Sequence, residues 1–260
     1  ESVNYPCIIK PSSNSSGSNG VKIINSKEEA ISHLKDIHTS TFSKRISKFC
    51  IQEYMEGHEV VIDTVSYRGK HFFSSCWLQN KRILNNIPVY YFSKFIPQQS
   101  KLAKTSFEYI KSVLNTIEFY NGIAHSEIML TPEPTLIEVN PRVSGINGLL
   151  NKQAQRITGY HQAKILSHLI LNVNETFENT IVNSITGVYY FYSQTNKSNE
   201  TINEALTNIK EIYEIQWSQN KSANSKLNLA SCDAILLLHC PNNDNFNETI
   251  DIITKVEKEL

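Results

Sequence analysis

Glu138, Asn140 and Arg142 fall within LIEVNPRVSG, residues 136–145, a stretch that otherwise reads as the end of an apolar strand. On a strand, side chains at i and i+2 share a face. The Glu138 carboxylate and the Asn140 amide therefore project together, while Ile137 and Val139 face the other way. Glu127 alternates with Ile128 on the preceding strand and can aim at the same face. Two carboxylates and an amide carbonyl are hard oxygen donors, suited to Mg2+ rather than zinc. Mg2+ keeps several waters and takes few protein ligands, the rest coming from phosphates. Two ions bridged by one carboxylate fit as well, and Mn2+ accepts the same donors. Arg142, just past the strand end, can fork onto a phosphate or carboxylate. The competing reading is a hairpin whose exposed face is simply polar, as exposed strand faces often are.

Two further features could bind a nucleotide. Lys10 ends the strand NYPCIIKP, and the loop SSNSSGSNG that follows contains Gly17 and Gly20. Small residues let backbone N–H groups approach phosphate oxygens, and a lysine adds a point charge. The order differs from a P-loop, because the lysine precedes the glycines and a strand follows them. In IQEYMEGHEVVID, residues 51–63, a strand ends at Met55, the chain turns at Gly57, and Glu59 opens the next strand. An acid so placed can take the two hydroxyls of a ribose. Alone, the first feature is also a polar loop and the second an ordinary turn with solvated acids.

The elements that position these residues follow from local patterns. VKIIN (21–25) pairs with residues 4–11, and Ser26 with Glu29 forms a capping box that starts a helix over 27–38. FCIQEYM (49–55), EVVIDTVSY (59–67) and KHFFSSCWLQ (70–79) read as strands, and residues 80–98 as loop with a strand around Tyr90–Ile96. Residues 101–119 have helical period, GIAHSEIML (122–130) and TLIEVNP (135–141) make a hairpin, and 149–172 is helical with a break near Gly159. Beyond a linker at 172–183, strand, helix, strand, loop, strand and helix make a small α/β unit.

The chain has 260 residues, 40% hydrophobic and 19% charged, with 25 basic and 25 acidic side chains. That is enough apolar material for a core and too little charge bias for disorder. No basic patch favours nucleic acid, and no apolar run reaches the ~20 residues of a membrane span. Five scattered cysteines and no signal-peptide pattern point to a reducing, cytoplasmic compartment. Cys50, Cys76 and Cys232 sit in apolar strands and are expected to be buried; Trp77 and Trp217 are expected to pack, and His58 and His71 to lie at the surface. The chain opens on Glu1 with a strand at once, which reads as a piece of a longer protein.

In this order, a lysine strand with a glycine-containing loop, the hinge QEYMEGHE, and SEIML followed by LIEVNPR resemble the ATP-grasp superfamily over roughly residues 4–171. The NPR ending and the segment from ASCDAILLLHC onward look most like its dipeptide-forming L-amino acid ligases. The resemblance implies an α+β ATP-grasp fold with subdomains at 1–65 and 66–175 holding ATP between them, and a small α/β domain at 176–260. It places Lys10 on the phosphates, under a lid including Ser16, Gly17, Ser18 and Gly20. The main chain of Glu53 and Met55 reads adenine with Gln52 nearby, and Glu59 takes the ribose. Glu127, Glu138 and Asn140 hold Mg2+, and Arg142 stabilises an acyl phosphate and the departing phosphate. The implied reaction is ATP-dependent joining of an amino acid to an amine or second amino acid, and a homodimer is common in such relatives.

Departures from the pattern bear on substrate choice and activity. Relatives usually carry an extra acid and a Gly-His pair before a proline, where Ser93 and Lys94 stand in YFSKFIP (91–97). They have an N-terminal domain and a second ATP lysine before the part matched here, and often an arginine at His125, which is either a phosphate contact or a plain polar strand residue. A catalytically silent ATP-binding regulatory module is the alternative, and a biotin-carboxylase-like role a third.

Overall fold

A computed structural model describes residues 3–12, 21–39, 48–84, 87–145, 148–173, 177, 184–193, 197–218 and 232–260. The described residues group into two compact units.

The first unit holds strands β1 (Cys7–Pro11), β2 (Lys22–Ile24) and β3 (Phe49–Glu53), with helix α1 (Lys27–Thr39) between β2 and β3 in sequence. The sheet order is β2-β1-β3, antiparallel throughout. Alternation sets its two faces: Cys7, Ile9 and Ile24 pack with Ala30, Leu34 and Phe49, while Ile8 and Lys10 point away. Ser26 Oγ accepts from the Glu29 N–H at 3.2 Å, and the Glu29 carboxylate accepts from the Asn25 N–H at 2.9 Å, which starts α1 as the sequence predicts. Cys50 is exposed, against expectation: it pairs with Lys10 on the face turned from α1.

The second unit is built on an eight-stranded sheet. Its elements are β4 (His58–Tyr67), β5 (Lys70–Leu84), β6 (Ile87–Phe95), α2 (Lys101–Thr116), β7 (Gly122–Leu130), β8 (Pro134–Asn140), α3 (Leu149–Thr158), α4 (Gln162–Ile170), β9 (Ile185–Phe191), α5 (Asn199–Leu206), β10 (Ile212–Trp217), β11 (Ala234–Cys240) and α6 (Asn243–Glu259). The strand order is β10-β11-β9-β6-β5-β4-β7-β8. The C-terminal strands thus continue the same sheet, joined where Phe92 pairs with Tyr189. Residues 80–84 are strand rather than loop. Their charges hid the pattern, because Lys81 and Arg82 alternate to buried carboxylate partners, Glu59 and Glu257.

One core lies on the α2 face of the sheet. Val60, Ile62, Ala124 and Ile128 pack against Ala103, Ile110 and Leu114 of α2, with Leu136 and Val139 at the margin. Farther along, Tyr189, Phe191, Leu236 and Leu238 pack with Phe246, Ile250 and Ile253 of α6. A bulge in the β7–β8 ladder pairs Glu127 with Glu138 but Ile128 with Leu136, leaving Ile137 as the extra residue. The core-facing pair is therefore Leu136 and Val139, not Ile137 and Val139. A bulge re-aims the residues beyond it, and here those are Glu138 and Asn140.

Gly57 lies where the chain enters this unit. A Cβ there would overlap the Leu130 carbonyl oxygen, a backbone atom that cannot swing aside. Gly57→Ala is expected to cost about 1–3 kcal/mol, read as a lowered thermal midpoint. An unchanged midpoint would show that the β4–β7 end yields freely.

Candidate active site

The face of the sheet opposite α2 gathers the polar side chains. Glu127 and Glu138 stand directly across the β7–β8 pair, and His125 faces Asn140 one step along. Asn140 Nδ2 donates to Glu138 Oε1 at 2.7 Å, so the i, i+2 pair does share a face. On the other side of β7, β4 contributes Glu59 and Asp63, opposite Met129 and His125. Lys81 Nζ lies 2.5 Å from Glu59 Oε2 and 5.6 Å from the Tyr90 ring centre.

Like charges facing one another in a part-buried site repel. Burial pushes the Glu59 carboxyl up, Lys81 opposes, and Glu127 and Glu138 push it up further. Burial also raises Glu127, but His125, Lys81 and Arg142 outweigh it and hold its carboxyl low. For His125, burial disfavours the imidazolium, yet the hydrogen bond to Asp63 and the neighbouring Glu127 lift it to about 9. Carboxylates that face one another across a strand pair are suited to receive a cation. Among the described residues no three His, Cys, Asp or Glu side chains enclose an ion. Two carboxylates and an amide on one face instead fit Mg2+ that completes its shell with phosphates and water.

Arg142 sits just beyond β8, where its N–H closes a turn on the Asn140 carbonyl at 2.8 Å. Its guanidinium donates to the Val143 carbonyl at 3.1 Å and faces solvent. The loop is pinned from below by Gln162, the first residue of α4. The Gln162 Oε1 accepts from the Ser144 N–H at 2.9 Å and from Asn151 Nδ2 at 3.3 Å. Its Nε2 donates to the Ala124 and Thr64 carbonyls at 2.9 and 3.3 Å. One buried amide thus ties the arginine loop, α3, β4 and β7 together.

In the first unit, Lys10 faces Cys50 and Ile8 faces Gln52 across the β1–β3 pair, so Lys10 and Gln52 share the face turned from α1. Glu53 closes β3, and Met55 follows in the connection to β4. Ser16, Gly17, Ser18 and Gly20 lie outside the described residues.

A family model described as an ATP-grasp domain matches residues 3–149, more than half of the chain's 260. The chain belongs to the ATP-grasp family. Dapdiamide A synthase of Enterobacter agglomerans is 29% identical over 144 residues, which is 54% of this chain and 34% of that protein. The structure of an L-amino acid ligase from Bacillus licheniformis aligns with a TM-score of 0.75 at 15% identity, over 98% of this chain and 63% of that one. N5-carboxyaminoimidazole synthase from Aspergillus clavatus, in complex with ADP and an aminoimidazole ribonucleotide, aligns with a TM-score of 0.69 at 11% identity, over 98% and 63%. The chain therefore spans about a third of the curated relative and under two thirds of these structures.

The sequence points to Glu127, Glu138 and Asn140, which the fold brings to one face, but not to Lys81, Asp63 and Gln162, which lie beside and behind them. A lysine following an asparagine on a strand is a weak signal. A buried aspartate in VVIDTV was the more readable one, since an isolated acid in an apolar run needs a partner. Trp77, Cys76 and Cys232 are buried, as expected. His71 is held by Ser66 at 2.7 Å and Asn115 at 3.1 Å rather than being a plain surface residue.

Proposed function

We infer that the chain carries the catalytic part of an ATP-dependent carboxylate–amine ligase, joining an amino acid to an amine or a second amino acid. The observation that carries this reading is Glu127 opposite Glu138, with Asn140 on the same face and Arg142 at the strand end. The similarity to dapdiamide A synthase and the shared fold of an L-amino acid ligase support it.

In this reading the substrate carboxylate attacks the γ-phosphorus of ATP, the bond to the bridging oxygen breaks, and ADP leaves. The amine nitrogen then adds to the carbonyl of the acyl phosphate, phosphate departs, and the amine proton is lost to solvent. Magnesium, when bound, neutralises charge on the transferring phosphoryl group, with Glu127, Glu138 and Asn140 as its protein ligands. Arg142 stabilises charge on the acyl phosphate and the leaving phosphate. Lys10, with the segment holding Ser16, Gly17, Ser18 and Gly20, binds phosphate oxygens. Glu53 and Met55 present backbone to adenine beside Gln52, and Glu59 takes the ribose while Lys81 holds its other side. Residues 176–260, proposed as an appended domain, shape the substrate pocket or a dimer contact.

The experiment is phosphate release from Mg-ATP by the purified protein, offered single amino acids and pairs. Release that needs two substrates establishes the ligase and begins to name them. Nucleotide binding without release under any pair overturns it in favour of a silent ATP-binding module.

A further inference from the structure

Behind Glu127 lies a buried hydrogen-bonded chain that the proposed chemistry does not use. Trp77 Nε1 donates to Ser75 Oγ at 2.9 Å, and Ser75 Oγ donates to Asp63 Oδ2 at 2.7 Å. Asp63 Oδ1 lies 2.8 Å from His125 Nδ1. His125 Nε2 lies 3.6 Å from Glu127 Oε1, an ion-pair distance rather than a hydrogen bond. Trp77, Ser75 and Asp63 are fully buried and His125 is 5% exposed.

Each link is set by strand register. Asp63 faces Ser75 on β5 and His125 on β7, and His125 faces Asn140 on β8. His125 and Glu127 are i, i+2 on one strand, so they share a face. The imidazole therefore stands beside two of the three proposed ligands, Glu127 and Asn140. Both Asp63 oxygens are engaged, which fixes the ring plane and leaves Nε2 directed at Glu127. A carboxylate behind a histidine is an effective orienting arrangement, because the hydrogen bond settles which ring nitrogen faces forward.

We propose that Asp63 and His125 form a positioning pair that sets the Glu127 carboxylate for a divalent cation. The inference rests on the reading of Glu127 as a metal ligand. Neither residue touches substrate; they act through Glu127.

The test is Mn2+ titration of the purified protein, alone and with ADP, followed by electron paramagnetic resonance. The variants are Asp63→Asn and the double Asp63→Asn with His125→Gln, which keep side chains able to hydrogen-bond without a lone buried charge. Circular dichroism melts in EDTA report the metal-free fold. The pair predicts Mn2+ affinity weakened about 10- to 100-fold in the double variant, with a broadened signal from bound Mn2+ and a metal-free melt close to the parent's. Wild-type affinity in a folded variant overturns it and leaves the pair a structural filler. Should the double variant fail to fold, wild-type affinity in Asp63→Asn overturns it and weakened affinity there supports it. Glu127→Gln separates the two readings: if it binds Mn2+ as tightly as the parent, the metal assignment itself falls, and the positioning role with it.

Discussion

Glu138→Gln is expected to abolish phosphate release while making the metal-free protein slightly more stable. Glutamine has glutamate's shape and keeps an oxygen to accept from Asn140 Nδ2, which now lies 2.7 Å from Glu138 Oε1. It removes one charge from a site where Glu138 faces Glu127 directly and pushes the Glu59 carboxyl upward. Like charges opposite one another on antiparallel strands are destabilising, and relieving one such pair is worth roughly 0.2–1 kcal/mol. Activity should move much further the other way. The lost charge is one of the two proposed to hold Mg2+, and a single preorganised electrostatic contact is commonly worth about 100- to 1,000-fold in rate. Paired melts and phosphate assays check both signs at once. Retained release would remove Glu138 from the metal site. Lost release together with a lower melting point would mean that Glu138 is a structural residue, and that the carboxylate cluster is compensated in some other way.

That opposition of signs also explains what was legible in the sequence. Glu138, Asn140 and Glu127 were readable because two-residue alternation is local, and a carboxylate in an apolar run stands out. The helix start at Ser26 was written in single residues: Ser26 Oγ accepts from the Glu29 N–H at 3.2 Å. The register was not local. The bulge at Ile137 puts Leu136 and Val139 on the core, and nothing in LIEVN announces it. His125 reads equally as a phosphate contact or a plain polar residue because its partner, Asp63, is 62 residues away in sequence. The C-terminal strands read as a unit of their own, since their junction with the rest of the sheet is a pairing of Phe92 with Tyr189. Lys81 and Arg82 looked like loop because their carboxylate partners are remote, at Glu59 and Glu257. Charges that destroy an alternating pattern are the same charges that the folded sheet neutralises.

Gln162→Leu is expected to cost about 2–4 kcal/mol and to depress phosphate release beyond what the stability loss accounts for. Leucine matches the side chain's bulk, so the cost is in hydrogen bonding rather than in a cavity. The substitution strips the buried Ser144 N–H of its acceptor and takes partners from Asn151 and from the Ala124 and Thr64 carbonyls. A buried polar group left without a partner costs about 1–3 kcal/mol, and the strand carbonyls, which keep a second lone pair engaged in the sheet, lose less. For a protein of this size each kcal/mol lowers the thermal midpoint by about 2–4 °C. The functional effect follows from where Ser144 sits, two residues past Arg142 on the same loop. Freed from Gln162, that loop no longer fixes where the guanidinium stands, and a misplacement of about 1 Å costs on the order of 100-fold in a positioned reaction. Glu127 and Glu138 keep their strand register, so Mn2+ affinity should remain near the parent's. Assays run well below the lowered midpoint separate the two losses. Activity lost in step with Mn2+ affinity would indicate that the whole β7–β8 end has loosened. Activity lost with affinity preserved would localise the effect to the arginine loop, and full activity in a destabilised protein would mean that Arg142 finds its place without help from α4.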